Sequence, residues 1–209
     1  MLTFELRLIL ETPLHIGSAP LETSHVFTRD ARGRPCISAT TLKGLHRAMT
    51  EQVANALKLP ICTPPIAAQM CHPIAGKPAC PVCHIFGSPW LPGRIRYRTL
   101  QTTGTPVVET HIRAPRSRQR GVQLARHTVD YEVLPAGTIF SGSVDHQISD
   151  PALLGLALAG LRSIATIGAG GSLGYGLCRA EARALDTSKH PVNDADLAAA
   201  LRGLARPRP

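Results

Sequence analysis

The sequence is poor in aromatic and in acidic residues. Phe, Trp and Tyr make up 4% of its 209 residues, which argues against RNA binding by a sheet of stacked aromatic side chains. The chain has 14 Asp and Glu residues against 23 Lys and Arg residues, a formal net charge of +9. Most of the excess is arginine, which pairs well with phosphate, so nucleic acid is the first partner to consider. Solubility or an acidic protein partner is the alternative explanation.

Two targeting features are also missing. The N-terminus has no basic start followed by an apolar run, so it does not resemble a signal peptide. The apolar stretch at residues 152–165 is shorter than a membrane span and contains Arg162. We therefore expect a cytoplasmic protein whose six cysteines are reduced, metal-bound or buried rather than paired in disulfides.

Hydrophobic periodicity predicts an α+β protein. Strands are predicted over residues 2–11, 94–100, 129–147 and 175–185, and helices over residues 40–57, 151–165 and 194–204. The order of the first six elements is the β-α-β-β-α-β order of the ferredoxin-like (RRM-like) fold. We predict one domain over residues 1–186 with a Cys-rich insertion at 60–92 and an arginine-rich hairpin at 101–128, followed by a C-terminal tail at 187–209.

Glycine is concentrated in residues 167–176, where five of ten positions are glycine. Free backbone N–H groups in such a loop can hold a phosphate, so Gly170 and Gly171 are candidate RNA-binding residues. The spacing matches neither the P-loop nor the dinucleotide fingerprint. A helix-to-strand turn explains the glycines about equally well.

The start of the first helix is a second candidate phosphate site. A helix N-terminus carries free N–H donors and a positive dipole. Thr40 and Thr41 add hydroxyl groups, and Lys43 and Arg47 add charge on one face. An ordinary capped helix with a solvated lysine is the alternative.

Four of the six cysteines lie in the Pro-rich insertion, where Cys80-x-x-Cys83 is half of a zinc site. A segment with so many prolines cannot form its own core, and a structural zinc ion (Zn2+) would stabilise it. The candidate ligands are Cys71, Cys80 and Cys83, with His72, Cys62 or His46 as the fourth. Loose thiols or small buried side chains are the alternative.

An arginine-rich stretch without acidic residues lies between His111 and His127. Its candidate RNA-binding residues are Arg113, Arg116, Arg118, Arg120 and Arg126. As an RNA-facing hairpin, this stretch would supply salt-dependent affinity that is independent of sequence. A solvated face or loop is the alternative.

Four segments together resemble the RAMP superfamily of CRISPR systems. They are ETPLHIG at residues 11–17, RPCISATTLKG at 34–44, CPVCHIFG at 80–87 and the glycine-rich segment. Their order and spacing are most similar to the backbone subunits of type III effector complexes. The resemblance implies a modified RNA-recognition fold that stacks with like or paralogous subunits along CRISPR RNA, which pairs with target RNA. It also implies that the arginine-rich hairpin is the family's thumb, and related members carry zinc in the insertion.

The resemblance also bears on catalysis. Several family members cut target RNA with an aspartate in the loop after the first strand, and motif alignment places Thr23 at that position. A threonine side chain cannot act as a general base, and it cannot bind a divalent cation as a carboxylate does. Cleavage would therefore need Glu22 or Asp30 with Mg2+. His15 or His25 would instead support metal-free processing of CRISPR RNA. The competing functions are an RNA-binding subunit, an endoribonuclease and a zinc-stabilised protein-interaction module.

Overall fold

The computed structural model describes residues 2–17, 24–25, 27–114, 117–119, 121–122 and 129–205. Its strands are β1 (Leu2–Leu10), β2 (Ser24–His25), β3 (Cys36–Ile37), β4 (Ile95–Tyr97), β5 (Leu100–Thr102), β6 (Glu109–Arg113), β7 (Val129–Val133), β8 (Ile139–His146) and β9 (Cys178–Leu185). Its α-helices are α1 (Ala39–Ala56), α2 (Pro81–Phe86), α3 (Pro151–Arg162) and α4 (Asp194–Ala205).

The main sheet is antiparallel and has the strand order β3-β5-β8-β1-β9, with β4 also paired to β8. When β4 and β5 are counted as one interrupted strand, the order of the four principal strands is that of the ferredoxin-like fold. The predicted α+β class and fold are therefore confirmed. Helices α1 and α3 are the two crossover helices of this fold, and they pack against each other.

The strand predicted over residues 94–100 is interrupted. Tyr97 pairs with Val144 and Gln101 pairs with Ser141, so one strand advances four residues while its partner advances three. The extra residue is a β-bulge, which divides the predicted strand into β4 and β5. Hydrophobic alternation alone does not reveal this change, because register is a property of two strands.

Alternation along β1 directs one set of side chains into the core. Phe4, Leu6 and Leu8 are buried, whereas Glu5 and Arg7 are exposed. On the buried side, α3 lies between α1, β9 and α4, which explains why most of its residues are buried.

A close approach of two helices depends on a glycine in α3. A Cβ atom at Gly160 would collide with the side chain of Thr50 on α1. Thr50 is buried, and its hydroxyl group donates to the carbonyl oxygen of His46 at 2.8 Å. Glycine at this position therefore allows α1 and α3 to pack at short range.

A second, three-stranded sheet has the order β2-β7-β6, and β6 and β7 pair antiparallel. These two strands form the base of the predicted arginine-rich hairpin, whose tip lies largely outside the described residues. The predicted C-terminal helix is present as α4, and it packs on α3 with Leu197 buried. Among the described helices, none has both the length and the hydrophobicity that a bilayer span requires.

Candidate metal centre and RNA interface

Four cysteine sulfur atoms lie together in the insertion. The Sγ atoms of Cys62, Cys71, Cys80 and Cys83 are all within 4.8 Å of one another. The Sγ of Cys62 lies 3.4 Å from that of Cys83 and 3.9 Å from that of Cys80. In a tetrahedral site with Zn–S bonds of about 2.3 Å, the sulfur atoms are about 3.8 Å apart. The donor type and the spacing therefore fit a zinc ion, with sulfur shifts of at most about 1 Å.

The start of α2 holds two of these sulfur atoms in place. Cys80 is the N-cap of α2, and its Sγ accepts a hydrogen bond from the backbone N–H of Cys83 at 3.4 Å. Pro81 follows at the first helical position, where its fixed φ favours the turn. The N–H of Cys80 in turn donates to the Sγ of Cys71 at 3.1 Å. Backbone N–H groups directed at sulfur favour the thiolate form that binds metal ions.

The thiols differ in how readily they ionise. Burial raises the pKa of Cys83, and its neighbours Cys62 and Cys80 raise it further. Burial also raises the pKa of Cys71. Burial opposes ionisation of Cys62 as well, but hydrogen bonds from Cys71, Cys83 and Cys80 lower the pKa of this thiol overall. A metal ion that binds here displaces protons from the less acidic thiols.

Neither histidine considered as the fourth ligand belongs to this group. The Nδ1 atom of His72 accepts a hydrogen bond from the N–H of Ala75 at 2.9 Å, and its ring lies 3.9 Å from that of Trp90. His46 is fully buried, with its ring nitrogens 2.7 Å from the hydroxyl of Tyr97 and 2.8 Å from the carbonyl of Ala157. Burial lowers the pKa of His46 to about 4. The geometry therefore favours Cys62 as the fourth ligand.

The residues predicted to bind phosphate on α1 have different surroundings. Thr40 and Lys43 are exposed, as a phosphate site requires. Arg47 instead donates from Nε to Glu51 at 2.9 Å and from Nη1 to the carbonyl of Gly87 at 3.3 Å. Its side chain is directed towards the insertion rather than towards solvent.

The N-terminus of α1 borders a basic groove of about 540 Å³. Ser38 caps the helix by accepting a hydrogen bond from the N–H of Thr41 at 3.1 Å. Three arginines line the groove together with Asp30, namely Arg29, Arg32 and Arg34. Arg29 forms an ion pair with Glu132, and Arg34 forms one with Asp30. These arginines were not among the predicted site residues, because their stretch of sequence also contains Asp30 and has no regular spacing.

The glycine-rich loop packs against the segment after β1. Gly168 has φ +83°, and a Cβ there would collide with the carbonyl of His15. Gly176 has φ +75°, and a Cβ there would collide with the carbonyl of Ile167. A tight turn therefore explains these two glycines. Gly171 is exposed and has open space around it, so a ligand can approach its backbone.

The same loop contacts the base of the arginine-rich hairpin. The hydroxyl of Tyr175 lies 2.8 Å from Nδ1 of His111 on β6. The guanidinium of Arg113 lies 4.7 Å from the ring centre of Tyr175 and 5.9 Å from that of Tyr131. These are cation–π contacts. Arg118 is exposed, and the predicted residues Arg116, Arg120 and Arg126 lie outside the described residues.

Sequence reasoning did not single out Tyr131, Tyr175 or His111. The chain contains only three tyrosines, and one of them lies within the glycine-rich segment. A tyrosine among so many glycines could have drawn attention to the loop, but a single tyrosine in a loop does not indicate which residues it will contact.

The candidate catalytic residue Asp30 organises its own turn. Its Oδ1 accepts the N–H groups of Arg32 and Arg34, each at 2.9 Å. Its Oδ2 accepts two hydrogen bonds from the guanidinium of Arg34, at 3.0 and 2.8 Å. These bonds, beginning with the backbone N–H of Arg34, lower the pKa of Asp30. Glu22 and Thr23 lie outside the described residues, and His15 is buried with Nδ1 2.7 Å from the carbonyl of Glu132.

Comparison with known proteins gives one result for the family. A model of the RAMP superfamily matches residues 7–179, which run from the middle of β1 to the start of β9 and include the insertion, the glycine-rich loop and both crossover helices. No curated protein matches the chain.

Proposed function

The chain belongs to the RAMP superfamily, and on this basis we propose that it is a CRISPR RNA-binding backbone subunit of a type III-like effector ribonucleoprotein. Membership in the family makes the chain a CRISPR-associated RNA-binding module. In the proposed role, it holds the phosphates of the guide RNA and leaves the bases free to pair with target RNA. Its neighbours in the complex are like or paralogous RAMP subunits.

The observation that carries this proposal is that the basic elements lie next to one another. Arg113 on the hairpin contacts Tyr175 of the glycine-rich loop. Glu132 on the adjoining strand β7 accepts a hydrogen bond from Arg29 at 3.0 Å, and Arg29 lines the groove beside Ser38. The hairpin, the loop and the helix N-terminus are thus joined through neighbouring residues. Guanidinium and backbone N–H groups on such a surface suit a phosphate backbone.

The metal centre has a structural role in this proposal. Cys62, Cys71, Cys80 and Cys83 would hold one zinc ion, which, when bound, cross-links distant points of the insertion. Four protein ligands leave no position open for substrate, which is typical of structural rather than catalytic zinc. The ion would stabilise α2, which packs against α1.

We do not assign cleavage of target RNA to this chain. The carboxylate of Asp30 already accepts four hydrogen bonds within its turn, so binding a divalent cation would require that turn to open. Incubation of the assembled complex with complementary RNA and Mg2+, with and without Glu22→Ala, tests this point. Cleavage that Glu22→Ala abolishes would contradict a purely binding role.

RNA binding is tested by measuring affinity for CRISPR RNA over a range of salt concentrations. We expect affinity to fall steeply as salt rises. Arg113→Met and Lys43→Met should each lower the slope of log affinity against log salt by about 0.7, the value for one contact with a single-stranded phosphate. Arg202→Met, an exposed arginine on α4, is the matched control and should leave the slope unchanged. Affinity that is independent of salt, or an equal effect of the control, would contradict the proposal.

A further inference from the structure

We propose that Arg47 is a positioning residue of the four-cysteine metal centre, where its guanidinium offsets the negative charge of the thiolates and holds the turn after α2. The inference rests on the metal site proposed above, and it does not depend on RNA binding. It gives Arg47 a different role from the phosphate contact that helical spacing predicts.

The first argument is the position of the side chain. Arg47 lies on α1, and its Nη1 donates to the carbonyl of Gly87, the C-cap of α2. Helix α2 carries Cys83 and begins after Cys80, so Arg47 joins α1 to the element that supplies two of the ligands. Its side chain is only 23% exposed, whereas an arginine that binds RNA phosphates is expected to be exposed to solvent.

The second argument is the charge balance. One zinc ion with four thiolates has a net charge of −2, which is costly in a partly buried site unless cations lie nearby. Arg47 contacts the carbonyl oxygen of Gly87, which lies four residues after the ligand Cys83. Burial works to lower the pKa of this guanidinium, but Glu51, followed by Cys83 and Cys62, raises it overall. Arg47 therefore places a positive charge at the end of the helix that carries Cys83, where it favours the ionised form of that ligand.

The third argument is an unused donor. Nε of Arg47 pairs with Glu51 and Nη1 with Gly87, whereas Nη2 is buried and has no hydrogen-bond partner among the described residues. A buried N–H group without a partner is costly, and such groups in native proteins usually have a role. This donor belongs to the same guanidinium that contacts the C-cap of α2, so we take its burial as support for a role at the metal centre.

The test compares metal affinity of the full chain with that of Arg47→Met, Arg47→Lys and Glu51→Gln. Affinities for Zn2+ and Co2+ are measured by competition with a chelator, and the thiolate-to-cobalt absorption band reports the ligand set. We expect Arg47→Met to weaken metal binding by about 10- to 100-fold, the range for second-sphere partners. Arg47→Lys should recover part of the loss, because it keeps the charge but not the fork of donors. Glu51→Gln should stay within about 3-fold, since it leaves Arg47 in place.

Several outcomes would overturn the inference. Affinity of Arg47→Met within about 3-fold of the unsubstituted chain would show that the guanidinium does not support the centre. Equal losses for Arg47→Met and Arg47→Lys would show that the positive charge does not support the centre. If Arg47→Met does not fold, Arg47→Lys decides, because unchanged affinity would exclude a role for the guanidinium. An unsubstituted chain that binds neither metal would instead refute the proposed centre, with RNA binding still to be measured separately.

Discussion

The identity of the fourth metal ligand can be tested directly, because the two main candidates, Cys62 and His72, lie in different surroundings. The Sγ of Cys62 is 3.4 Å from that of Cys83, whereas Nδ1 of His72 already accepts a hydrogen bond from Ala75. We therefore expect Cys62→Ser to remove most zinc affinity. His72→Ala should leave the affinity unchanged within about 3-fold.

The size of each effect follows from the chemistry of the residue removed. Structural zinc sites bind with about 10–16 kcal/mol, so one ligand of four contributes roughly 2.5–4 kcal/mol. The loss for Cys62→Ser is then about 100- to 1000-fold in affinity. His72→Ala removes the cap of a short 3-10 turn at Pro73–Ala75 and should cost about 1 kcal/mol of local stability.

The assay combines metal content with stability. Native mass spectrometry should find one zinc ion per chain for the unsubstituted protein and for His72→Ala, but none for Cys62→Ser after mild chelation. Thermal unfolding should show the same pattern, since zinc at 100 times its dissociation constant adds about 2.7 kcal/mol. A Cys62→Ser chain that retains zinc, together with a His72→Ala chain that loses it, would refute the assignment.

Two further predictions concern stability. Gly176→Ala should lower the free energy of unfolding in urea by about 2 kcal/mol or more, because φ is +75° and a Cβ atom would collide with the carbonyl of Ile167. The control Gly171→Ala should change the free energy of unfolding by less than about 0.5 kcal/mol. Equal effects of the two substitutions would show that the turn at Gly176 relaxes freely. Burial lowers the pKa of His46 to about 4 from an ordinary 6.5, so the unfolded chain takes up the proton first and stability falls as pH drops from about 6.5 to about 4. The loss at pH 5 relative to pH 8 should be about 2 kcal/mol from His46, and His46→Gln should reduce this dependence in unfolding curves measured at both pH values.

Much of the fold could be predicted because its signals are local. Alternation from Phe4 to Leu8 predicts a half-buried strand, and Asp150 before Pro151 predicts the start of α3, where the carboxylate accepts the N–H groups of Ala152 and Leu153. The division of one predicted strand into β4 and β5 could not be predicted. It depends on the pairing of both strands with β8, which their own residues do not encode.

The candidate site shows the same contrast. Cys80-x-x-Cys83 could be recognised from sequence, because a short helical turn brings these two residues together wherever it occurs. The choice between Cys62 and His72 could not, since both lie near the motif in sequence and only the path of the insertion brings one sulfur atom to the others. Arg47 is similar, because helical spacing places it on the face of Lys43 but does not show that Gly87 and Glu51 lie beside it.

Residue types and short-range spacing are enough to predict the fold class, the basic character and half of the metal centre. Long-range packing is what sets the fourth cysteine, the inward direction of Arg47 and the contact between Arg113 and Tyr175. These features join residues that are 21, 40 and 62 positions apart in the chain, namely Cys62 and Cys83, Arg47 and Gly87, and Arg113 and Tyr175. Their distances depend on how the whole chain packs, and that packing is the sum of many contacts, none of which is visible in a local pattern.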